Sequence, residues 1–83
     1  MKIRYEAAVL KKDLKRIGYS DKKKITKKIE LLSTYPLAGK KLQGELRGLR
    51  ALRAWPYRIV YEIKNKEIKI YSIIHRQSVY KRK

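Results

Sequence analysis

The residues with the most chemical potential stand near the end of the chain. His75 is followed directly by Arg76, and Val79-Tyr80 closes the segment before a basic tail. A histidine side chain titrates near neutrality and suits proton transfer. A guanidinium presents a planar fork of donors that matches phosphate oxygens. A tyrosine beside that phosphate stacks a base or positions an attacking group. Together these side chains have what RNA cleavage needs when the 2'-hydroxyl is the nucleophile. One group takes the hydroxyl proton, another protonates the leaving oxygen, and cations hold the extra phosphate charge. No metal enters that scheme. Taken alone, His75 is more simply a structural hydrogen-bonding residue, so its neighbours must carry the argument.

Those neighbours come from strand periodicity. In Tyr57-Arg58-Ile59-Val60-Tyr61-Glu62-Ile63, side chains alternate between two faces. Tyr57, Ile59, Tyr61 and Ile63 form an apolar side, and Arg58, Val60 and Glu62 form the other. A hairpin with the preceding strand, Leu49 to Ala54, brings Arg53 beside Arg58 on the face away from the apolar side. The plain alternative is an Arg58–Glu62 surface pair, worth little. Several arginines on one sheet face, with Tyr71 and Tyr80 nearby, fit a surface for phosphates and bases better.

The remaining elements supply the support. Ile3 to Tyr5 reads as a short strand. Leu10, Leu14 and Ile17 make one helical stripe that stops at Gly18, and Ile25, Ile29 and Leu32 make a second that stops before Pro36. Ser20 followed by Asp21 reads as the second helix's N-cap. Lysines 22, 23, 24, 27 and 28 lie opposite that second stripe, as a solvated helix face would, with a nucleic-acid patch as the second reading. Gly39, Gly44 and Gly48 punctuate an irregular stretch, after which three strands follow, the last spanning Glu67 to Ile74. The expected fold is α+β in the order βααβββ. An antiparallel sheet carries the N-terminal helical hairpin on one face, in a single domain over residues 1–83.

Composition narrows the partners. With 83 residues there is room for one modest core. No cysteine is present and only one histidine, which argues against disulfides and against a zinc site, so no metal or other cofactor is expected. The opening residues contain no apolar run suited to a leader or a membrane span, so a cytoplasmic protein is expected, with no membrane partner. Lys and Arg total 24 against 7 acids, for a net charge of +17. Such a surface attracts polyanions, namely nucleic acid or an acidic protein. A tight partner would also add stability by mass action.

From Lys40 to Tyr80 the chain resembles the RelE/ParE toxin superfamily. The residues that carry the likeness are Lys41-Leu42, Leu46 to Leu49, Leu52-Arg53, the strand Tyr57 to Ile63, His75-Arg76 and Val79-Tyr80. The resemblance implies a compact toxin paired with an acidic antitoxin that wraps it with a helix or strand. RelE-type members cut messenger RNA on the ribosome. Carried over by position, the catalytic roles fall on Arg53, Arg58, Arg76 and Tyr80, with His75 as the acid/base candidate. Lys40 and Lys41 would hold RNA, with Arg50 and Tyr71 as further RNA-binding candidates. Three positions depart from the family pattern. Ala51 stands where many relatives carry a basic residue, Trp55-Pro56 replaces a glycine-containing turn, and Ile74 replaces a glycine before His-Arg. The same fold also serves ParE-type inhibitors of DNA gyrase, and a non-catalytic basic nucleic-acid-binding module is the third reading. Ribosome-dependent cleavage of message, with the ribosome and mRNA as partners, is the preferred expectation.

Overall fold

The apolar stripes of the N-terminal half need a sheet to cover, and the chain builds that sheet on both sides of them. The computed structural model describes residues 1–44 and 47–76, so Leu46, Val79 and Tyr80 lie outside the described residues. Strand β1, Lys2–Tyr5, comes first. A wide π-type turn, Val9–Asp13, then runs straight into a single α-helical turn, Leu14–Arg16, which is α1. Helix α2 spans Tyr19–Thr34. Strands β2 (Lys40–Lys41), β3 (Arg50–Ala54), β4 (Tyr57–Lys64) and β5 (Glu67–His75) follow. The five strands lie in the order β1-β5-β4-β3-β2.

The expected α+β class and order of elements are present, with two differences in the sheet. First, it is mixed: β1 runs parallel to β5, with Ile3 beside Ile68 and Tyr5 beside Ile70. The long connection that parallel neighbours require runs from β1 through both helices and strands β2 to β4 before reaching β5. Second, β2 is an extra edge strand, antiparallel to β3. Two residues are too few to show a period of two, so nothing in the sequence announced it.

The first helical stripe also shifts. Val9 is fully buried, whereas Leu10 is half exposed. The cause is the wide turn, in which the Leu14 N–H bonds the Val9 carbonyl five residues back. In such a turn residues five apart stack, so Val9 and not Leu10 lies above Leu14. The turn also carries Asp13 onto the sheet, where its Oδ2 accepts the backbone N–H of Ile73 at 3.0 Å. Helix α2 starts one residue before Ser20, with extended Gly18 as its cap and the Lys22 N–H on the Gly18 carbonyl at 2.8 Å. Asp21 keeps its place in the first turn, where it favours the helix dipole.

Val9, Ile17, Ile25, Ile29 and Leu32 pack against Ile59, Tyr61, Ile68, Ile70 and Ile73, and this is the core. β4 and β5 pair from Tyr57–His75 to Lys64–Glu67, with one irregularity between Val60 and Tyr61. There Val60 faces Ser72 and Tyr61 faces Ile70, so Tyr71 is the extra residue, a bulge on β5.

Tyr61 joins this core to the site. Its side chain has no exposure, and its hydroxyl donates to the Pro36 carbonyl at 2.7 Å and accepts the Gly39 N–H at 2.9 Å. Arg50, opposite Tyr61 on β3, donates to the Gly39 carbonyl at 2.8 Å. Gly39 must be glycine here: a Cβ would lie 2.7 Å from both Cε1 and the hydroxyl of Tyr61. Burial raises the Tyr61 phenol above its ordinary range, opposed by the Gly39 N–H and the Arg50 charge. The folded protein therefore holds this proton at a pH where the unfolded chain has lost it. The associated stability is complete below about pH 10 and is lost as pH rises through the folded value. Removing the hydroxyl in Tyr61→Phe should cost about 1–3 kcal/mol in urea unfolding, because a buried donor and acceptor lose their partner. Gly39→Ala should cost a similar amount, about 1–3 kcal/mol, by overpacking.

Candidate nucleic-acid interface

The sheet face turned away from the helices is built by register. Arg53 lies directly opposite Arg58, and Ala51 lies opposite Val60. Residues opposite each other in an antiparallel pair share a face, so both guanidinium groups stand side by side on that face. Across the other edge of β3, Lys40 is the partner of Ala51. The cation missing at position 51 is thus supplied from β2, one strand over. Lys40, Arg53 and Arg58 line a shallow groove of about 500 Å³, together with Ala38, Lys41, Leu42, Ala51 and Leu52. Among the described residues, no carboxylate lines it.

Charge balance confirms this asymmetry. The ion pairs among the described residues engage Arg4, Lys24 and Lys69, and none reaches Lys40, Arg53 or Arg58. The alternative Arg58–Glu62 pair does not form. Glu62 instead accepts the Tyr71 hydroxyl at 3.0 Å, and that bond is the main reason the Tyr71 phenol is held above its ordinary range. Two like charges opposite each other on a ladder cost stability. Among the described residues no acid pairs with either arginine, so their charges are left unbalanced on this face.

The other expected site residues separate. Arg50 lies on the helix side of β3, tied to the Gly39 carbonyl, and does not stand on the uncovered face with Arg53 and Arg58. Lys41 pairs with Arg50 in register yet reaches the groove rim. Tyr71 belongs to the far half of the uncovered face, beside Glu62, Lys69, Arg4 and Glu6, where charges are mixed. It does not join the arginines. His75 is directly opposite Tyr57, and the two rings meet edge to face at 5.0 Å. Because Tyr57 packs against the core, His75 is on the helix-side face, at its rim. The grouping of His75 with Arg58 on one face is therefore corrected: β5 presents Ile74, not His75, opposite Arg58. Arg76 ends the described strand region with its guanidinium 4.8 Å from the Trp55 ring centre. Tyr80 lies outside the described residues.

Sequence reasoning passed over Trp55 and Lys24. Trp55 was read only as a breaker between strands, and Lys24 as one of several solvated lysines. Their meeting, with the Lys24 ammonium on the Trp55 carbonyl at 3.1 Å, is a tertiary contact with no local sequence signal. Among the described residues, no three His, Cys, Asp or Glu side chains gather as metal ligands, and no helix is long and apolar enough to cross a membrane.

A mixed sheet with a helical pair on one face, here carrying a cationic groove on the other, is the architecture that the chain shares with solved toxins of the RelE/ParE superfamily. The chain belongs to the family described as ParE toxin of type II toxin-antitoxin system, parDE, whose profile matches residues 3–80. No curated protein sequence matches the chain. Among solved structures it is similar to one in the toxin–antitoxin complex RelBE2 from Mycobacterium tuberculosis. That match has 26% identity over 89% of this chain and 95% of the other, with a TM-score of 0.81. It is also similar to one in the RelB–RelE antitoxin–toxin complex from Methanococcus jannaschii, at 25% identity over 94% and 95%, with a TM-score of 0.75. The YoeB/ParE toxin from Agrobacterium tumefaciens shares the fold at 19% identity over 90% and 98%, with a TM-score of 0.77.

Arg58→Ala separates binding from folding. It should leave stability within about 0.5 kcal/mol of the parent or raise it slightly, since an exposed residue of a like-charge pair is removed. The plot of log affinity for single-stranded RNA against log salt should flatten by about 0.7, the loss of one phosphate contact. Thermal unfolding and a salt titration of binding check the two halves.

Proposed function

We propose that this toxin is a ribosome-dependent mRNA endonuclease that cuts by 2'-hydroxyl attack. The observation that carries the reading is the groove in which Lys40, Arg53 and Arg58 converge on one uncovered sheet face. Phosphate charge rises in the transition state of transesterification, and preorganised cations act where that charge develops. The attacking 2'-oxygen forms a bond to phosphorus, its proton passes to a base, and the 5'-oxygen leaves with a proton from an acid. The products are a 2',3'-cyclic phosphate and a 5'-hydroxyl. His75 is assigned the proton transfers from the strand end where the two faces meet, with Arg76 beside it and Tyr80 following. Lys41 at the groove rim is assigned to RNA binding.

An acidic antitoxin is the expected protein partner, because a +17 chain with an unneutralised face offers it a charge-complementary surface. A second reading, inhibition of DNA gyrase, has one observation in its favour: the matching family profile is that of ParE toxins. It would use the same cationic surface without a nuclease step.

The test is translation in a purified system, with message 5' ends mapped by primer extension. The nuclease reading expects discrete cuts only on translated message. Arg58→Ala should remove them, and His75→Ala should slow them by about 10² or more while leaving RNA affinity in place. Intact message together with loss of gyrase supercoiling would transfer the assignment to the second reading.

A further inference from the structure

The turn Trp55-Pro56 between β3 and β4 gives this chain a feature that the phosphate groove does not use. Trp55 is 54% exposed at the tip of the β3–β4 hairpin, yet the tip is braced from two sides. Lys24 of α2 donates to the Trp55 carbonyl at 3.1 Å, and the Arg76 backbone N–H donates to the Pro56 carbonyl at 2.9 Å. The Arg76 guanidinium also stands 4.8 Å from the indole centre, in cation–π range. A large aromatic held this firmly in water is a preorganised contact surface.

Its surroundings specify the ligand. The hairpin closes with Ala54 opposite Tyr57, and the next rung is Arg53 opposite Arg58. At about 3.3 Å per strand residue, the groove cations begin about 7 Å from the indole along β3. On the other side, Lys24 shares a hollow of about 380 Å³ on α2 with Tyr19, Lys23 and Lys27, and the Lys23 ammonium lies 5.6 Å from the Tyr19 ring centre. Aromatic faces alternating with cations suit single-stranded nucleic acid: bases stack on the rings and the backbone runs along the charges. A peptide partner would need apolar or acidic groups spaced to match, whereas every unpaired nucleotide brings both a π-face and a phosphate.

We propose that Trp55, braced by Lys24 and Arg76, is a stacking platform for an unpaired RNA base, and that the strand continues from the Arg53–Arg58 groove over the hairpin tip towards α2. This rests on the reading of the protein as an RNA-directed toxin. It adds a site beyond the cleavage groove.

Trp55 is the only tryptophan in the chain, so its emission reports on the site directly. The intact protein is titrated at low salt with oligoadenylate, and with the same strand annealed to oligouridylate. Affinities of Trp55→Ala and Trp55→Phe are measured by anisotropy of labelled oligoadenylate. The platform predicts saturable quenching by the single strand and much less by the duplex. Affinity should fall on the order of ten-fold in Trp55→Ala and be largely retained in Trp55→Phe, which keeps a ring. Unchanged emission at saturation with undiminished affinity in Trp55→Ala would overturn it, as would absence of binding at low salt. A thermal melt of each variant separates a lost ring from a lost fold. Primer extension on translated message keeps the two readings distinct. Quenching without cut message upholds the platform and removes the nuclease. Normal cutting with unquenched emission overturns the platform alone.

Discussion

The structure turns on the alternation along β4 and on the single hydroxyl that makes it functional. Tyr61 fills the core with its ring while its hydroxyl satisfies a carbonyl and an N–H of the segment after α2. That segment has no regular structure of its own and would otherwise have little to hold it. Tyr61 pins it, Gly39 allows the close approach, Arg50 adds a second tie, and β2 is thereby laid beside β3. Only because β2 is there does Lys40 face Ala51 and complete the cationic groove. A buried aromatic thus determines the position of an exposed charge on the opposite face of the sheet.

The two faces of that sheet obey different physics. The helix side is apolar and close-packed, so its register is strongly specified: a slip of one residue would turn every isoleucine outward. The other side carries no such packing. It holds Arg53 against Arg58 because the ladder forces them together, and the core bears the repulsion. Val60, in the middle of this face, is only 7% exposed. The stems of its long charged neighbours can cover it while their heads stay in water. The far half of the same face pairs its charges, Arg4 with Glu67 and Lys69 with Glu6. One sheet face therefore has a neutralised end and a cationic end, and only the second offers unbalanced charge to an anion.

The parts legible in the sequence were those governed by a period. The alternation from Tyr57 to Ile63 and the hairpin with Leu49 to Ala54 placed Arg53 beside Arg58 without a structure. The second helical stripe and the strand from Glu67 followed the same logic. What escaped was set by exceptions to the period. The wide turn at Val9–Asp13 moved the first stripe by one residue, and the bulge at Tyr71 changed the phase of β5. A strict alternation from Ile68 would put Ile74, not Ile73 and His75, on the core face. With the extra residue, His75 turns to the helix side and Ile74 takes the place opposite Arg58. The bulge thereby puts His75 and Arg58 on opposite faces of the sheet. The ties of Arg50 escaped for a simpler reason: its carbonyl partners come from a loop whose path the sequence did not reveal. The role of Trp55 depended on Lys24 and Arg76, which reach it from distant parts of the chain.

The central claim is that phosphate sits in the groove between Lys40, Arg53 and Arg58. Its most direct test is a structure of the toxin bound to a translating ribosome whose message carries 2'-O-methyl groups, so that the attack cannot occur. The account predicts the message backbone in that groove, with the phosphate at the blocked position within hydrogen-bond reach of the Arg58 guanidinium. A bound toxin whose groove faces solvent, with message held elsewhere on the chain, would contradict it.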